Sequence, residues 1–125
     1  MPRVEVTRNR LLLNDREIGP LTRYLCGTVA ECLSCEGGEL ATDEIEVRVR
    51  EPGPFDRNYS NLQIEIFADA CPEREANRQE RSDQIESDLR KFCLEGGMSP
   101  MLFDDSSFVW LCLFPAGFTK LKSHA

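Results

Sequence analysis

Residues 1–9 read MPRVEVTRN, and the alternation in this stretch governs the reading of the rest of the chain. Pro2, Val4 and Val6 share one parity, while Arg3, Glu5 and Thr7 share the other. A period of two is the mark of a half-buried strand. Three further segments have strand character. DEIEVRVRE (43–51) sets Ile45, Val47 and Val49 against Glu46, Arg48 and Arg50, and NLQIEIFA (61–68) turns Leu62, Ile64 and Ile66 to one side. SSFVWLCLFPAGF (106–118) is apolar on both sides: Val109, Leu111 and Leu113 on one, Phe108, Trp110, Cys112 and Phe114 on the other.

Two helical segments separate these strands. NRLLLNDREIG reads as a polar turn, and Pro20 suits a first helical position, where a missing N–H has no partner to lose. From there Leu21, Tyr24, Leu25, Thr28, Val29, Cys32 and Leu33 recur at helical spacing, and the glycines of EGG (36–38) end the run. PGPFDRN then breaks the chain after the second strand. A charged segment from Arg74 to about Leu94 keeps its apolar stripe (Ile85, Leu89, Phe92, Cys93) in its second half, so its first turns are expected to face water. Pairs four residues apart, such as Glu80 with Gln84, Asp83 with Ser87 and Glu86 with Arg90, would lace its exposed side.

The order is strand–helix–strand, twice. Each half has the length of a βαβ unit, whose crossover is right-handed. The fold class is therefore expected to be α/β (α+β two-layer): two βαβ units forming a four-stranded sheet with two helices on one face. A single domain over 1–125 is expected, with halves of about 2–52 and 60–118. No residue-level repeat links the halves. With the helices on one face, the other face would expose Phe108, Trp110 and Phe114 together. An apolar patch of that kind on a soluble protein implies a partner. Packing of sheet faces between identical chains is the simplest cover, with Trp110 and Phe114 as interface or pocket residues.

Composition narrows the function. The chain has 125 residues, 41% of them hydrophobic, and a formal net charge of −7. An acidic chain is poorly suited to nucleic acid or an anionic membrane, so any anion site must be a local cluster of arginines. No apolar stretch approaches a membrane span and no basic-then-apolar leader opens the chain, so a soluble, cytoplasmic protein is expected. Without a secretory signal, the six cysteines are expected to be reduced. Cys32-x-x-Cys35 falls at a helix C-terminus, where the dipole opposes a thiolate, and no second ligand pair is spaced for zinc. His124, the only histidine, stands one residue from the end. No metal and no cofactor are expected.

Pro2 has two readings. Proline is tolerated at the start of a strand and need mean nothing more. Alternatively, removal of Met1 would leave a secondary amine on a rigid ring at the end of a strand. An α-amino group titrates near 8. Burial and nearby guanidinium groups disfavour the ammonium and pull that value toward neutrality, where a base can shuttle protons between carbon and oxygen. Arginines are the natural grip for a carboxylate, since a guanidinium donates two hydrogen bonds and stays charged. Candidates are Arg48 first, then Arg10, Arg50 and Arg57; each could equally be a solvated surface charge.

The N-terminal MPRVEV, the LQIEIF strand leading into a polar helix, FVWLCLFP near the end, and the doubled βαβ order together resemble the tautomerase superfamily, which includes 4-oxalocrotonate tautomerase and macrophage migration inhibitory factor. The closest likeness is to a poorly characterised bacterial tautomerase-like family of similar length. The resemblance spans nearly the whole chain in layout and is specific at residue level only at Pro2. It implies Pro2 as general acid and base, arginines holding the carboxylate of a small keto or enol acid, and a homotrimer. The chain departs from the pattern on the second strand, where Glu46 stands at the position of a binding arginine in 4-oxalocrotonate tautomerase and Arg48 lies one step along the same face. Three readings are consistent with these residues: a tautomerase moving a proton between keto and enol forms of its substrate, an inactive oligomer of the same fold that binds a partner or a small ligand, or a different two-βαβ or ferredoxin-like arrangement such as a small regulatory ligand-binding module.

Overall fold

In a computed structural model, the structure describes residues 2–115. Strand β1 (Arg3–Arg8) is followed by helix α1 (Asp15–Leu33) and strand β2 (Glu46–Arg50). Strand β3 (Leu62–Asp69), the short helix α2 (Pro72–Ala76), helix α3 (Arg78–Glu95) and strand β4 (Phe108–Phe114) complete the order. The four strands form one sheet in the order β2-β1-β3-β4. β1 and β2 are parallel, as are β3 and β4, while β1 and β3 run antiparallel. Each parallel pair is spanned by a helical crossover. The antiparallel pair is the seam between the two βαβ units.

Both long helices lie on one face. Val4 and Val6 of β1, Leu62, Ile64 and Ile66 of β3, and Leu111 of β4 are buried against Leu21, Leu25, Val29 and Leu33 of α1 and Ile85, Leu89 and Cys93 of α3. Their removal from water is the main stabilising contribution to the fold. Thr28 of α1 donates to Asp88 of α3 at 2.9 Å, and Tyr24 stacks on Phe92 at 4.2 Å between centroids, so the two helices are also joined directly. Arg81 of α3 donates to the carbonyls of Cys32 (2.7 Å) and Ser34 (3.2 Å), satisfying acceptors at the C-terminus of α1.

Several boundaries differ from the sequence reading. Helix α1 begins at Asp15, five residues before Pro20, which lies inside it. Asn14 is the cap: its side chain accepts the N–H groups of Arg16 and Glu17, and the Glu17 carboxylate accepts the N–H of Asn14 at 3.1 Å. This reciprocal cap fixes where α1 starts, and burial of Leu21, Leu25, Val29 and Leu33 holds the helix despite Pro20. The acceptor orphaned by the proline is the carbonyl of the exposed Arg16, which water can reach. The charged segment is two helices, broken at Asn77 (φ −133°). On α3, Glu86 and Arg90 pair as expected; the other lacing is Gln79 with Asp83 and Gln84 with Asp88 rather than Glu80 with Gln84 and Asp83 with Ser87. Strand β2 is shorter than 43–51, because Thr42–Glu44 forms a 3-10 turn. A second such turn, Pro100–Phe103, precedes β4 and buries Leu102. Residues 116–118 of the expected fourth strand and His124 lie outside the described residues. None of the helices of the described residues is long and apolar enough to cross a membrane.

Candidate functional site

The face of the sheet away from the helices has an uneven surface. Register places Arg50, Thr7, Gln63 and Phe108 in one row across the strands, and Arg48, Glu5, Glu65 and Trp110 in the next. Glu46, Arg3, Phe67 and Cys112 form a third row. The β2 and β1 side is charged, and the β4 side is aromatic. Trp110 is 58% exposed, Phe114 47% and Phe108 40%, so the open apolar patch expected from the fourth strand is present in the single chain. Trp110 and Phe114 also border a groove of about 760 Å³ along the outer edge of β4, closed on its far side by Arg78, Gln79 and Ser82 of α3.

Pro2 stands at one end of this sheet, buried in the middle of it rather than frayed at an edge. Its carbonyl accepts the N–H of Glu46 at 3.1 Å. It lies one residue beyond the pairs Arg3–Glu46 and Arg3–Phe67, so its neighbours across the sheet are Ile45 and Ala68, both buried and apolar. An amine at this position would be poorly solvated, which disfavours its charged form. The parity of β1 puts Pro2 on the helix side with Val4 and Val6, and the next residue, Arg3, on the open side.

Arg3 was not among the arginines singled out from the sequence. Its guanidinium carbon lies 4.9 Å from the centre of the Phe67 ring, and Phe67 in turn stacks on Phe114 with centroids 5.9 Å apart. Glu5 is at ion-pair distance, 3.7 Å from Nε, yet the buried Nε–H of Arg3 has no hydrogen-bond acceptor among the described residues. Arg3, Phe67 and Phe114 thus form a cation and an apolar wall beside the amino end of β1. The strand parity already marks Arg3 as facing away from the core next to Pro2. Phe67 could not be read from sequence, because it reaches this place only through the antiparallel seam.

The other arginines are placed as follows. Arg48 lies at mid-strand on the open face and donates to Glu46 at 2.8 Å. Arg50, one pair further from Pro2, sits 3.5 Å from Glu5. Arg10 follows the opposite end of β1, roughly 20 Å along the strand from Pro2, and contacts Asp15 at 2.6 Å and Glu51 at 3.6 Å. Arg57 is exposed in the connection between β2 and β3, also at that far end. Within one chain, Arg48 and Arg3 are therefore the arginines on the open face nearest Pro2.

The far end of β1 has its own charged cluster, built around Arg8. This buried guanidinium donates to the Leu13 carbonyl at 3.0 Å, to Asp15 at 2.7 Å and to Glu51 at 2.9 Å. Hydrogen bonds from Arg8, then from Arg10, hold the Asp15 carboxyl below its usual range. Arg8 points to the helix side and ties β1, α1 and the end of β2 together. Its role is structural.

No protein-family model matches this chain, and a search of curated proteins finds no match. Solved structures do share its fold. One is 5-carboxymethyl-2-hydroxymuconate delta-isomerase, with a TM-score of 0.62 and 13% identity over 100% of this chain and 89% of the isomerase. Another is native Ps01740, with a TM-score of 0.60 and 14% identity over 91% of this chain and 95% of that one. A third is Leishmania major MIF2, with a TM-score of 0.51 and 15% identity over 94% and 93% of the two chains. At these identities the likeness bears on the fold: the mixed four-stranded sheet with two main helices is the tautomerase fold anticipated from the layout of the sequence.

Proposed function

We propose that the protein is a small tautomerase that moves a proton between the keto and enol forms of a carboxylate-bearing substrate. The observation that carries this reading is the position of Pro2: buried at the end of a central strand, between Ile45 and Ala68, with Arg3 beside it on the open face. Once Met1 is removed, the neutral ring nitrogen takes a proton from the carbon next to the ketone. The ammonium so formed returns it to the oxygen of the enolate. An apolar surround keeps the amine neutral at working pH, and the same group serves as base and acid. Arg48 and Arg3 hold the substrate carboxylate and so favour the build-up of negative charge on the oxygen nearby. The protein carries the proton itself, and the reaction needs no cofactor.

The working form in this proposal is a homotrimer whose chains cover one another's open faces, burying Trp110 and Phe114. Arg10, Arg50 and Arg57 would then reach a proline only from a neighbouring chain. A second reading is an inactive oligomer of the same fold that binds a partner or ligand. It is favoured by the fact that Arg48 and Arg50 already have carboxylate partners in Glu46 and Glu5.

Ketonisation of phenylpyruvate or 2-hydroxymuconate separates the two. The tautomerase reading expects mass spectrometry to show Met1 absent, and activity to fall by roughly 100-fold or more in Pro2→Ala or when an N-terminal tag is retained. Equal rates in tagged and untagged protein would sink it and leave the binding reading.

A further inference from the structure

The six cysteines are all free thiols in the structure, but two are neighbours. Cys35 follows the C-terminus of α1, and Cys71 precedes α2. They are 36 residues apart in sequence, and their sulfurs lie 3.6 Å from each other. Cys32, the other member of the C-x-x-C, turns the other way, with its sulfur 3.8 Å from the Thr28 hydroxyl. We propose that Cys35 and Cys71 form a reversible disulfide, making this pair a peroxide-responsive modification site independent of the Pro2 chemistry.

The surroundings suit that step. Both thiols are partly exposed in a hollow of about 470 Å³ shared with Gly37, Gly38, Glu73 and Arg74, wide enough for a small hydroperoxide. A disulfide bond is about 2.05 Å long, so the sulfurs must close by roughly 1.5 Å. Cys35 sits on a tight turn, exchanging backbone hydrogen bonds with Gly38 (3.2 and 2.9 Å), and Gly37 holds a positive φ of 78° there. Cys71 is in the connection leaving β3. Neither is locked inside a long element, which leaves both free to make that small movement.

The two sulfurs are also unequal, which divides the labour. The Arg74 backbone N–H first, then the Cys35 thiol and the Arg74 guanidinium, favour the Cys71 thiolate and hold its thiol below the usual value. Burial holds Cys35 above its usual value. Elsewhere burial pushes Cys32 and Cys112 up, and Cys93 to about 11, so these are poor nucleophiles. Cys71 is thus the attacking sulfur. Its thiolate attacks one oxygen of hydrogen peroxide, the O–O bond breaks, and hydroxide leaves and takes up a proton as water. Cys71 is then a sulfenic acid. The Cys35 sulfur attacks the Cys71 sulfur, the S–S bond forms, and the departing hydroxide carries away the Cys35 proton as a second water. The two thiols have lost two electrons and two protons to the peroxide.

The test is a peptide map. Reduced, full-length protein is treated with stoichiometric hydrogen peroxide, alkylated and digested without reductant. The expected result is a loss in intact mass of two hydrogens, a linked Cys35–Cys71 peptide and recovery of both thiols with dithiothreitol. The oxidised form should also melt several degrees above the reduced one, since the bridge closes a long loop. A Cys32–Cys35 bridge, bridges between chains, or six thiols still alkylatable after treatment would each overturn the proposal. In Cys35→Ser, Cys71 should accumulate as a sulfenic acid trapped by dimedone. In Cys71→Ser, Cys35 should stay unlabelled; equal labelling there would overturn the assignment of the attacking sulfur. The wild-type map stands whether or not either variant folds.

Discussion

Pro2 and Arg3 are adjacent in the chain and serve opposite faces of the sheet: the proline among apolar neighbours, the arginine against an aromatic ring with an unused N–H. If Arg3 holds the substrate carboxylate, Arg3→Gln should raise KM and lower kcat/KM by about 10- to 100-fold, the worth of one or two charge-assisted hydrogen bonds. Thermal stability should stay close to that of the wild type, and Arg3→Lys should recover part of the loss. Asp15 carries a prediction of another kind. Arg8 and Arg10 hold its carboxyl below the unfolded value, so the folded state binds that proton less readily. The resulting stabilisation is present above about pH 4 and is lost as pH falls through the folded value. Urea midpoints measured across the acid range should therefore fall less steeply in Asp15→Asn than in the wild type. Of the candidate site, the sequence singles out Pro2 by its position; strand parity marks Arg3 as well, though it is not among the arginines the sequence reading chose. The partners of both come from strands whose neighbours no local pattern reveals.

Helices show why existence is easier to read than extent. The apolar stripe from Leu21 to Leu33 marks α1, because its burial against the sheet is also what stabilises it. The start of α1 depends on a local polar competition that Pro20 masks. The signal was there, in Asn14 followed three residues later by Glu17, which is the spacing of a reciprocal cap. Asn14→Ala should lower stability by about 1 kcal/mol and fray the first turn, as read by chemical denaturation and by faster backbone motion at residues 15–19. The strands follow the same logic. β1 and β3 alternate cleanly because one face is core, while β2, at the edge, leaves Val49 40% exposed on the side its alternation marks as inward. Truncating a central strand residue such as Ile66 to Ala should cost about 2–5 kcal/mol, well above a similar change at Val49.

At the scale of the molecule, the doubled βαβ order is legible from the spacing of periodic segments, and so is the bare sheet face, since β4 is apolar on both sides. The strand order is not. That β1 meets β3 head to tail is decided by how the two units pack, and it is this seam that sets Phe67 beside Arg3. The exposed row of Phe108, Trp110 and Phe114 carries the prediction for assembly. Trp110→Asp should place a charge in the proposed interface and leave the helix-side core untouched. Light scattering should then show dissociation of a trimer to single chains, with far-UV circular dichroism unchanged; a wild type that already scatters as a monomer would remove the interface. The seam has one more consequence. β1 and β3 occupy the two inner places of the sheet, so the amides of Val4, Val6, Ile64 and Ile66 are shielded from both sides, whereas β2 and β4 can peel away singly. In deuterated water the protons of these two inner strands should be the last to be replaced, at a rate set by global unfolding, and the amino end of the chain should be among its most protected parts.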